Sequence, residues 1–322
     1  MSMLYLTEKD VRDLLPMADC IGLMQTAFER LASAEAISQL RRRLILPTGS
    51  VLHYMAAGDG RYFGAKIYSS HPRHGTHFLF LLYRAADAEP LALMEANYLG
   101  QIRTGAASGL ATRLMAREDA ATLAIIGSGF QAQTQLEAML AVRKLAETRV
   151  WSRDPAKRAA FAAENSVRYG TPVRAAETAE QAVRGAAIVV TATYAKDPVL
   201  EVEWIEPGAH INAMGSNQAN RREIPTELVR RADLIVVDSL EQARMESGDL
   251  IMAFEDRDWN SSRLVELKDV ISGRVKARTT LHQITLFKSN GLAVEDVIAA
   301  GFVYERALTP ERASAGRLPA TR

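Results

Sequence analysis

The residues that could do chemistry fall into a glycine loop, a scatter of cations and one histidine. The run Gly127-Ser128-Gly129-Phe130-Gln131-Ala132 follows the apolar segment Leu123 to Ile126 and opens a stretch of helical periodicity. This is the dinucleotide-binding arrangement with alanine in the third small-residue place. Gly127 permits the tight turn, and Gly129 lets the main chain approach the pyrophosphate. Ala132 lets the helix sit close to the strand, and the helix N-terminus faces the phosphate charge. A mere tight turn is the competing reading, and the strand, loop and helix context argues against it. At the end of the next strand an acidic residue would favour NAD by binding the ribose. The sequence there reads Trp151-Ser152-Arg153-Asp154. Ser152 and Arg153, with Lys157 and Arg158 one turn on, suit the 2′-phosphate of NADP. Arg153 against the adenine and Asp154 on the ribose would suit NAD, so both nucleotides stay open, with a tilt toward NADP.

Lys66 stands inside the strand-like run Gly64-Ala65-Lys66-Ile67-Tyr68, where a charge among apolar neighbours either points to solvent or is paired in a site. Arg103 and Thr104 mark a predicted helix start, able to meet a cofactor phosphate or a substrate carboxylate; a surface arginine is the plainer alternative. Arg41-Arg42-Arg43 read alone is a solvated basic face. His53, in Val51 to Met55, has an ordinary pKa of about 6.5 that suits proton donation to a developing amine, and a strand histidine satisfied by its neighbours is the rival reading. His71, His74 and His77 flank a turn with Pro72 and Gly75 and no nearby cysteine or acidic set, which fits no metal-site spacing, so no metal is expected. His210, in a predicted strand, reads as structural. Cys20, among Ile21, Met24, Phe28 and Leu31, reads as a buried helix face.

These residues need elements to hold them. The first 35 residues read as helical, with Thr7 and Asp10 as a capping box. Val51 to Ala57, Tyr62 to Ser69, Phe78 to Arg84 and Pro90 to Glu95 read as strands of a mostly antiparallel sheet, and Thr104 to Ala116 as a helix. From about residue 120 strands alternate with helices: Thr122 to Ile126, Gln131 to Leu145, Arg149 to Ser152, Pro155 to Tyr169 and Ile188 to Thr193. His210 to Met214, Pro225 to Arg231 and Leu234 to Asp238 continue the pattern, which implies a parallel sheet with helical crossovers. Ile284 to Phe287 adds a strand and Leu292 to Leu308 a helix placed to return to the first domain. The tail after Pro310 reads as frayed.

The chain has 322 residues, which at a soft prior of about 150 per domain suggests two domains. Lys and Arg number 39 against 38 Asp and Glu, so no basic excess favours nucleic acid. No apolar run approaches the roughly 18 residues of a membrane span, and the N-terminus lacks the pattern of a secretory signal. No membrane partner and a cytoplasmic location are therefore expected. The single cysteine excludes an internal disulfide.

With these residues in place, the sequence resembles the ornithine cyclodeaminase and mu-crystallin family over nearly its whole length. The resemblance rests on Gly64 to Tyr68, on Leu99-Gly100-Gln101-Ile102-Arg103-Thr104-Gly105-Ala106-Ala107-Ser108, on the glycine loop and on Gly208-Ala209-His210-Ile211-Asn212-Ala213-Met214-Gly215. Pro207 to Asn212, Val237-Asp238-Ser239 and Glu246-Ser247-Gly248-Asp249 look closest to the mu-crystallin branch. The implied fold is α/β: a Rossmann-type doubly wound parallel sheet over residues 120–292, and an α+β substrate and dimerisation domain from 1–119 and 293–322. The implied chemistry is hydride transfer between a nicotinamide and the carbon bearing an amino acid's nitrogen, by a homodimer.

On that resemblance Lys66, Arg103 and one arginine of the triplet hold the substrate carboxylate. Arg43 is the expected member, with Arg42 the alternative if the register slips by one. Lys66, His53 and Asn217 are the candidate catalytic residues, and the proton donor is Lys66 or His53. The nucleotide falls to Thr104, Gly127, Gly129, Phe130, Gln131, Ala132, Ser152, Arg153, Thr193 and Met214. Two departures bear on the reaction. Cyclodeaminases place an acidic residue just after the glycine pair, where this chain has Ser216-Asn217, and an amide does not titrate. They also place a glutamate close to His53. The expected activity is therefore reduction of a small α-imino acid: pyrroline-2-carboxylate, piperideine-2-carboxylate, iminosuccinate, or pyruvate with ammonia. The alternatives are an ammonia-releasing cyclodeaminase, which another acid such as Asp197 or Glu223 would have to rescue, and a non-catalytic NADP-binding protein of the crystallin kind.

Overall fold

The computed structural model describes residues 3–309, and the tail after Pro310 lies outside them. The chain forms two compact units, one from residues up to Arg103 together with those from Gly291 on, the other from Thr104 to Asn290. The first break falls inside a helix, not at residues 119 and 120, because the helix is long and contributes residues to both units.

The first unit begins with strand β1 (Leu4–Leu6), where the sequence pattern reads as helix. Helix α1 (Glu8–Leu14) follows, its Thr7 and Asp10 forming the expected capping box, and then α2 (Met17–Ala32), on which Cys20 is buried. Strands β2 (Ile37–Ser38), β3 (Arg42–Ile45), β4 (Val51–Gly58), β5 (Tyr62–His71), β6 (Gly75–Arg84) and β7 (Pro90–Glu95) complete a seven-stranded sheet. Its order is β1-β7-β6-β5-β4-β2, with β3 also on β4; β4 to β7 are antiparallel neighbours and β1 joins β7 in parallel. The last helix, Ala293–Ala307, packs on α2 and on β4 and β5. Alternation along β5 turns Gly64, Lys66 and Tyr68 to this covered face, and Phe63 and Ile67 to the other. Helix α3 (Asn97–Met115) starts seven residues before the expected Thr104.

The second unit carries an eight-stranded, wholly parallel sheet. Its strands are β8 (Thr122–Ile126), β9 (Glu147–Trp151), β10 (Val173–Ala175), β11 (Ile188–Thr191), β12 (His210–Ala213), β13 (Leu234–Val237), β14 (Leu264–Glu266) and β15 (Thr285–Lys288). The order is β10-β9-β8-β11-β12-β15-β13-β14, so the chain reverses its direction of winding between β8 and β11. Central strands such as Leu123 to Ile126 are buried throughout, as expected where both faces of a parallel sheet are covered. The crossovers carry α4 (Phe130–Val142), α5 (Pro155–Tyr169), α6 (Ala179–Val183), α7 (Thr226–Arg231), α8 (Leu240–Glu246), α9 (Gly248–Ile251) and α10 (Leu267–Ile271). The last helix of the first unit is accordingly α11. His210 is structural, as its strand pattern suggests: it is fully buried, Nδ1 lies 2.9 Å from Thr285 Oγ1, and burial pushes its pKa down to about 3.

Candidate active site residues in the two units

The glycine loop of the second unit lies at the reversal point, where open α/β sheets bind their ligands. Gly127 has φ +116°, and a side chain there would run into Ala192 O. A carbon built on Gly129 meets nothing within 4 Å, so the main chain faces open space. Gly129 is the N-cap of α4 and makes no side-chain cap bond, and a helix N-terminus of this kind suits an anion. The donor set fits a pyrophosphate. Ala132 is fully buried, as close helix packing requires, and Gly105 of α3 admits Thr134 of α4 at a distance no side chain could share. Phe130 is exposed, and Thr104 O accepts from Gln135 Nε2 at 3.3 Å.

A cavity of about 1060 Å³ runs from Gly127 and Gly129 past Ser152, Arg153 and Lys157 to Thr193 and Asp197. Ser152 Oγ and Ser128 Oγ are hydrogen-bonded at 2.8 Å. Asp154 is the N-cap of α5, its Oδ1 accepting from the amides of Ala156 (3.0 Å) and Lys157 (3.1 Å). Its carboxylate therefore serves the helix first.

Thr193 lines the cavity, but its amide and hydroxyl both donate to Glu223 Oε1 at 2.7 Å. Met214 is buried and donates its amide to Thr191 O. Asn217 lies beside a smaller cleft with Tyr194, Gly215 and Arg221. Both oxygens of Glu223 are already engaged by neighbouring donors. It is fully buried, takes four donors, and burial and the nearby Asp249 push its pKa up.

In the first unit, Lys66 and Arg103 converge on one carboxylate. Lys66 Nζ donates to Asp296 Oδ1 at 3.0 Å, and Arg103 Nε donates to the same oxygen at 3.1 Å. Arg103 Nη1 donates to Glu295 Oε2 at 2.9 Å. All four side chains are buried, and Asp296 Oδ2 has no hydrogen-bond partner among the described residues. Two glycines make room: a side-chain carbon on Gly100 would stand 2.6 Å from Lys66 Nζ, and one on Gly291, at φ +79°, would stand 2.5 Å from Arg103 Nη1. Burial lowers the Lys66 pKa, Asp296 opposes that and Arg103 adds to it, leaving a value of about 8. Burial alone would raise the Asp296 carboxyl, but Arg103 and Lys66 hold it below the usual range.

The arginine triplet divides differently from the expectation. Arg43 stands opposite His53 on the covered face and is exposed, while Arg42 stands opposite Tyr54 on the other face. Arg41, just before β3, is the buried one, and its charge lowers the Lys66 pKa. Strand alternation separates Arg42 from the cluster, and the irregular segment before β3 turns Arg41 inward. Of the three, Arg41 is therefore the one buried near Lys66, and Arg42 and Arg43 are exposed.

His53 is half-buried and stacks on Tyr68 at 4.2 Å, Tyr68 stacks on Phe78 at 4.5 Å, and Lys66 Nζ lies 5.2 Å over the Phe78 ring. His53 Nε2 lies 2.8 Å from Ser70 Oγ. Burial, then Arg43 and Arg41, push the His53 pKa down to about 4. Sequence reasoning missed Glu295, Asp296, Tyr68 and Phe78. The available signal was a Glu-Asp pair within the apolar run Ala293 to Ala300. Among the described residues no group of three His, Cys, Asp or Glu side chains could hold a metal, and no helix is long and apolar enough to cross a membrane.

Comparison with known proteins agrees with this architecture. The chain is 35% identical over 317 residues to a Delta(1)-pyrroline-2-carboxylate reductase of Bacillus cereus, covering 95% of this chain and 97% of that one. The Delta(1)-pyrroline-2-carboxylate reductase of Thermococcus litoralis, solved with NADH and L-proline, superposes with a TM-score of 0.92 at 34% identity over 98% of this chain and all of that one. An archaeal alanine dehydrogenase dimer with bound NAD superposes with a TM-score of 0.92 at 30% identity, covering 99% of each chain. With a match to the ornithine cyclodeaminase/mu-crystallin family extending over residues 1–311, the chain belongs to that family.

Proposed function

We propose that this protein is an NAD(P)H-dependent reductase of small α-imino acids. The observation that carries this reading is the buried Lys66 and Arg103 pair gathered on Asp296. Arg41 brings a third positive charge to two cations that face only the two carboxylates of Glu295 and Asp296, and this surplus, with a planar guanidinium beside an ammonium, suits the carboxylate of an imino acid. The relatives, named as reductases of pyrroline-2-carboxylate or solved with NADH and L-proline or with NAD, point the same way.

When bound to the glycine loop, the nucleotide supplies the hydride that adds to the imine carbon. Arg103, with Arg41 beside the cluster, binds the substrate carboxylate. Lys66 is the proton donor to the developing amine nitrogen, because a pKa of about 8 leaves it protonated at neutral pH yet readier to release the proton than a solvated lysine. Asp296 holds the ammonium in place. His53 is uncharged at neutral pH, so it orients by hydrogen bonding and carries no imidazolium proton. Asn217 can orient a substrate nitrogen or a water without taking a proton.

NADP is the preferred nucleotide in this reading, since the Asp154 carboxylate is engaged as a helix cap while Arg153 and Lys157 line the cavity. The protein works as a homodimer through the sheet face opposite Lys66, where Leu44, Leu52, Tyr54, Phe63 and Leu79 form an exposed apolar patch across β3 to β6. A cytoplasmic location suits an enzyme drawing on reduced nucleotide.

The test is oxidation of NADPH and NADH with cyclic ketimines, with iminosuccinate, and with pyruvate and ammonia, alongside ornithine and lysine. Nucleotide oxidation with an imine supports the reductase. Ammonia release from ornithine or lysine without net oxidation would replace it by a cyclodeaminase, and nucleotide binding without any turnover by a non-catalytic binding protein.

A further inference from the structure

We infer that Glu223 is a positioning residue for hydride transfer: its buried carboxylate pins the ends of β11 and β12 and so fixes the wall of the crevice half that receives the nicotinamide. The loop after β8 and the end of β9 serve the adenosine half of a dinucleotide, and the other half falls to the strands beyond the reversal point, β11 and β12. Glu223 reaches both of these strand ends. Its Oε2 accepts from Thr191 Oγ1 of β11 at 2.9 Å and from the Gly215 amide just after β12 at 2.7 Å. Its Oε1 accepts from the amide and hydroxyl of Thr193, which lines the nucleotide cavity.

The carboxylate is itself held from behind. Asp249 Oδ1 accepts from the amides of Glu223 (2.6 Å) and Ile224 (2.9 Å), and Asp249 Oδ2 pairs with Lys288 Nζ of β15 at 2.9 Å. Lys288 Nζ also donates to Ser216 O at 2.5 Å, next to Asn217. One chain of buried charges thus ties three neighbouring strands, β11, β12 and β15, at their C-terminal ends. Gly215 is fitted to it, since a side chain there would collide with Thr193 O and come within 2.5 Å of Glu223 Oε1. Such expense in buried polar groups at a crevice wall marks a surface that must not drift, and a misplacement of about 1 Å at a reacting centre costs about 100-fold in rate.

The two main-chain donors, Thr193 N and Gly215 N, point at different oxygens of Glu223. An amide has only one accepting oxygen, so Glu223→Gln keeps the side chain's size yet must release one strand end. The kinetic arm of the test rests on the reductase reading; the binding arm does not. In Glu223→Gln, NADPH binds within about threefold of the wild-type Kd, because Gly127 and Gly129 are untouched. Fluorescence of the bound reduced nicotinamide loses about half or more of its enhancement. With saturating ketimine, kcat falls about tenfold or more and the isotope effect from nucleotide deuterated at the transferred position rises, while the imino-acid KM stays within about threefold. Thr191→Val deletes one of the four donors and shows the same pattern more weakly, which keeps the test alive if Glu223→Gln fails to fold.

A fall in kcat matched by an equal fall in titratable nucleotide sites, with the isotope effect unchanged, would make Glu223 purely structural and overturn the inference. Unchanged kcat and fluorescence in both variants would overturn it too. If the wild-type protein reduces no imine, the reductase reading falls, and the fluorescence alone decides on Glu223: altered emission upholds the clamp, unaltered emission rejects it.

Discussion

The nucleotide loop and the cation cluster are built in opposite ways. The loop is a continuous stretch, Gly127 to Ala132, defined by main-chain geometry: a positive φ, an open face at Gly129 and a start of α4 without a side-chain cap. The cluster is assembled from Arg41, Lys66, Arg103, Glu295 and Asp296, which lie on four separate segments of the chain, the two acids side by side on α11. Binding a pyrophosphate needs backbone donors and no particular side chain, so one turn suffices. Holding a carboxylate and delivering a proton needs charges that tune one another, and those must come from several elements.

Breaking each half separately is the way to test this contrast. The largest effect is expected from Lys66→Ala, which should lower kcat/KM for imine reduction by about 1000-fold while leaving the nucleotide Kd within about threefold. Parallel turnover assays and nucleotide titrations check it; an equal loss of nucleotide binding would mean that the two halves are not separable. Gly129→Val should do the converse. It places a side chain in the open space before the loop and should weaken nucleotide binding about 10- to 100-fold, by titration, without the folding defect expected of a Gly127 substitution at φ +116°.

A titration sharpens the cation side. Lys66 must be protonated to donate, so activity is full well below its pKa of about 8 and falls as pH rises through it, by about tenfold between pH 7 and pH 9. Asp296 favours the charged form of Lys66, so Asp296→Asn should move that descending limb to lower pH in a kcat/KM profile. A limb that stays in place would remove Lys66 as the titrating group. The smallest effect is expected at Arg153→Ala, where loss of one exposed cation should raise the NADPH KM about fivefold and leave the NADH KM nearly unchanged. Equal changes for both nucleotides would argue against a 2′-phosphate contact.

How far each region could be read in advance follows the same division. Strands β8, β11, β12 and β13 stand out as short apolar runs because they are buried on both faces. Strand β1 was obscured by its three-residue length beside a helix cap, and β3 by its exposed arginines. The start of α3 was misplaced because Gly100 argues against a helix by propensity, yet its missing side chain is what admits Lys66 Nζ. Glu295 and Asp296 raised no flag, since acids in the first turn of a helix ordinarily meet its dipole at the surface.

What the sequence by itself determined is therefore the family, the parallel sheet and the glycine loop between its strand and helix, and it singled out Lys66 and Arg103 as charges out of keeping with their surroundings. Each of these is written in local periodicity or in a contiguous motif. Only the tertiary structure decided that Arg41 is buried near Lys66 while Arg43 is exposed, that Asp296 joins Lys66 to Arg103, that burial and two arginines lower the His53 pKa, and that Glu223 binds two strand ends. The physical reason is that charge, burial and hydrogen-bond partners are properties of neighbours in space. For Lys66 and Asp296 those neighbours are 230 residues apart along the chain.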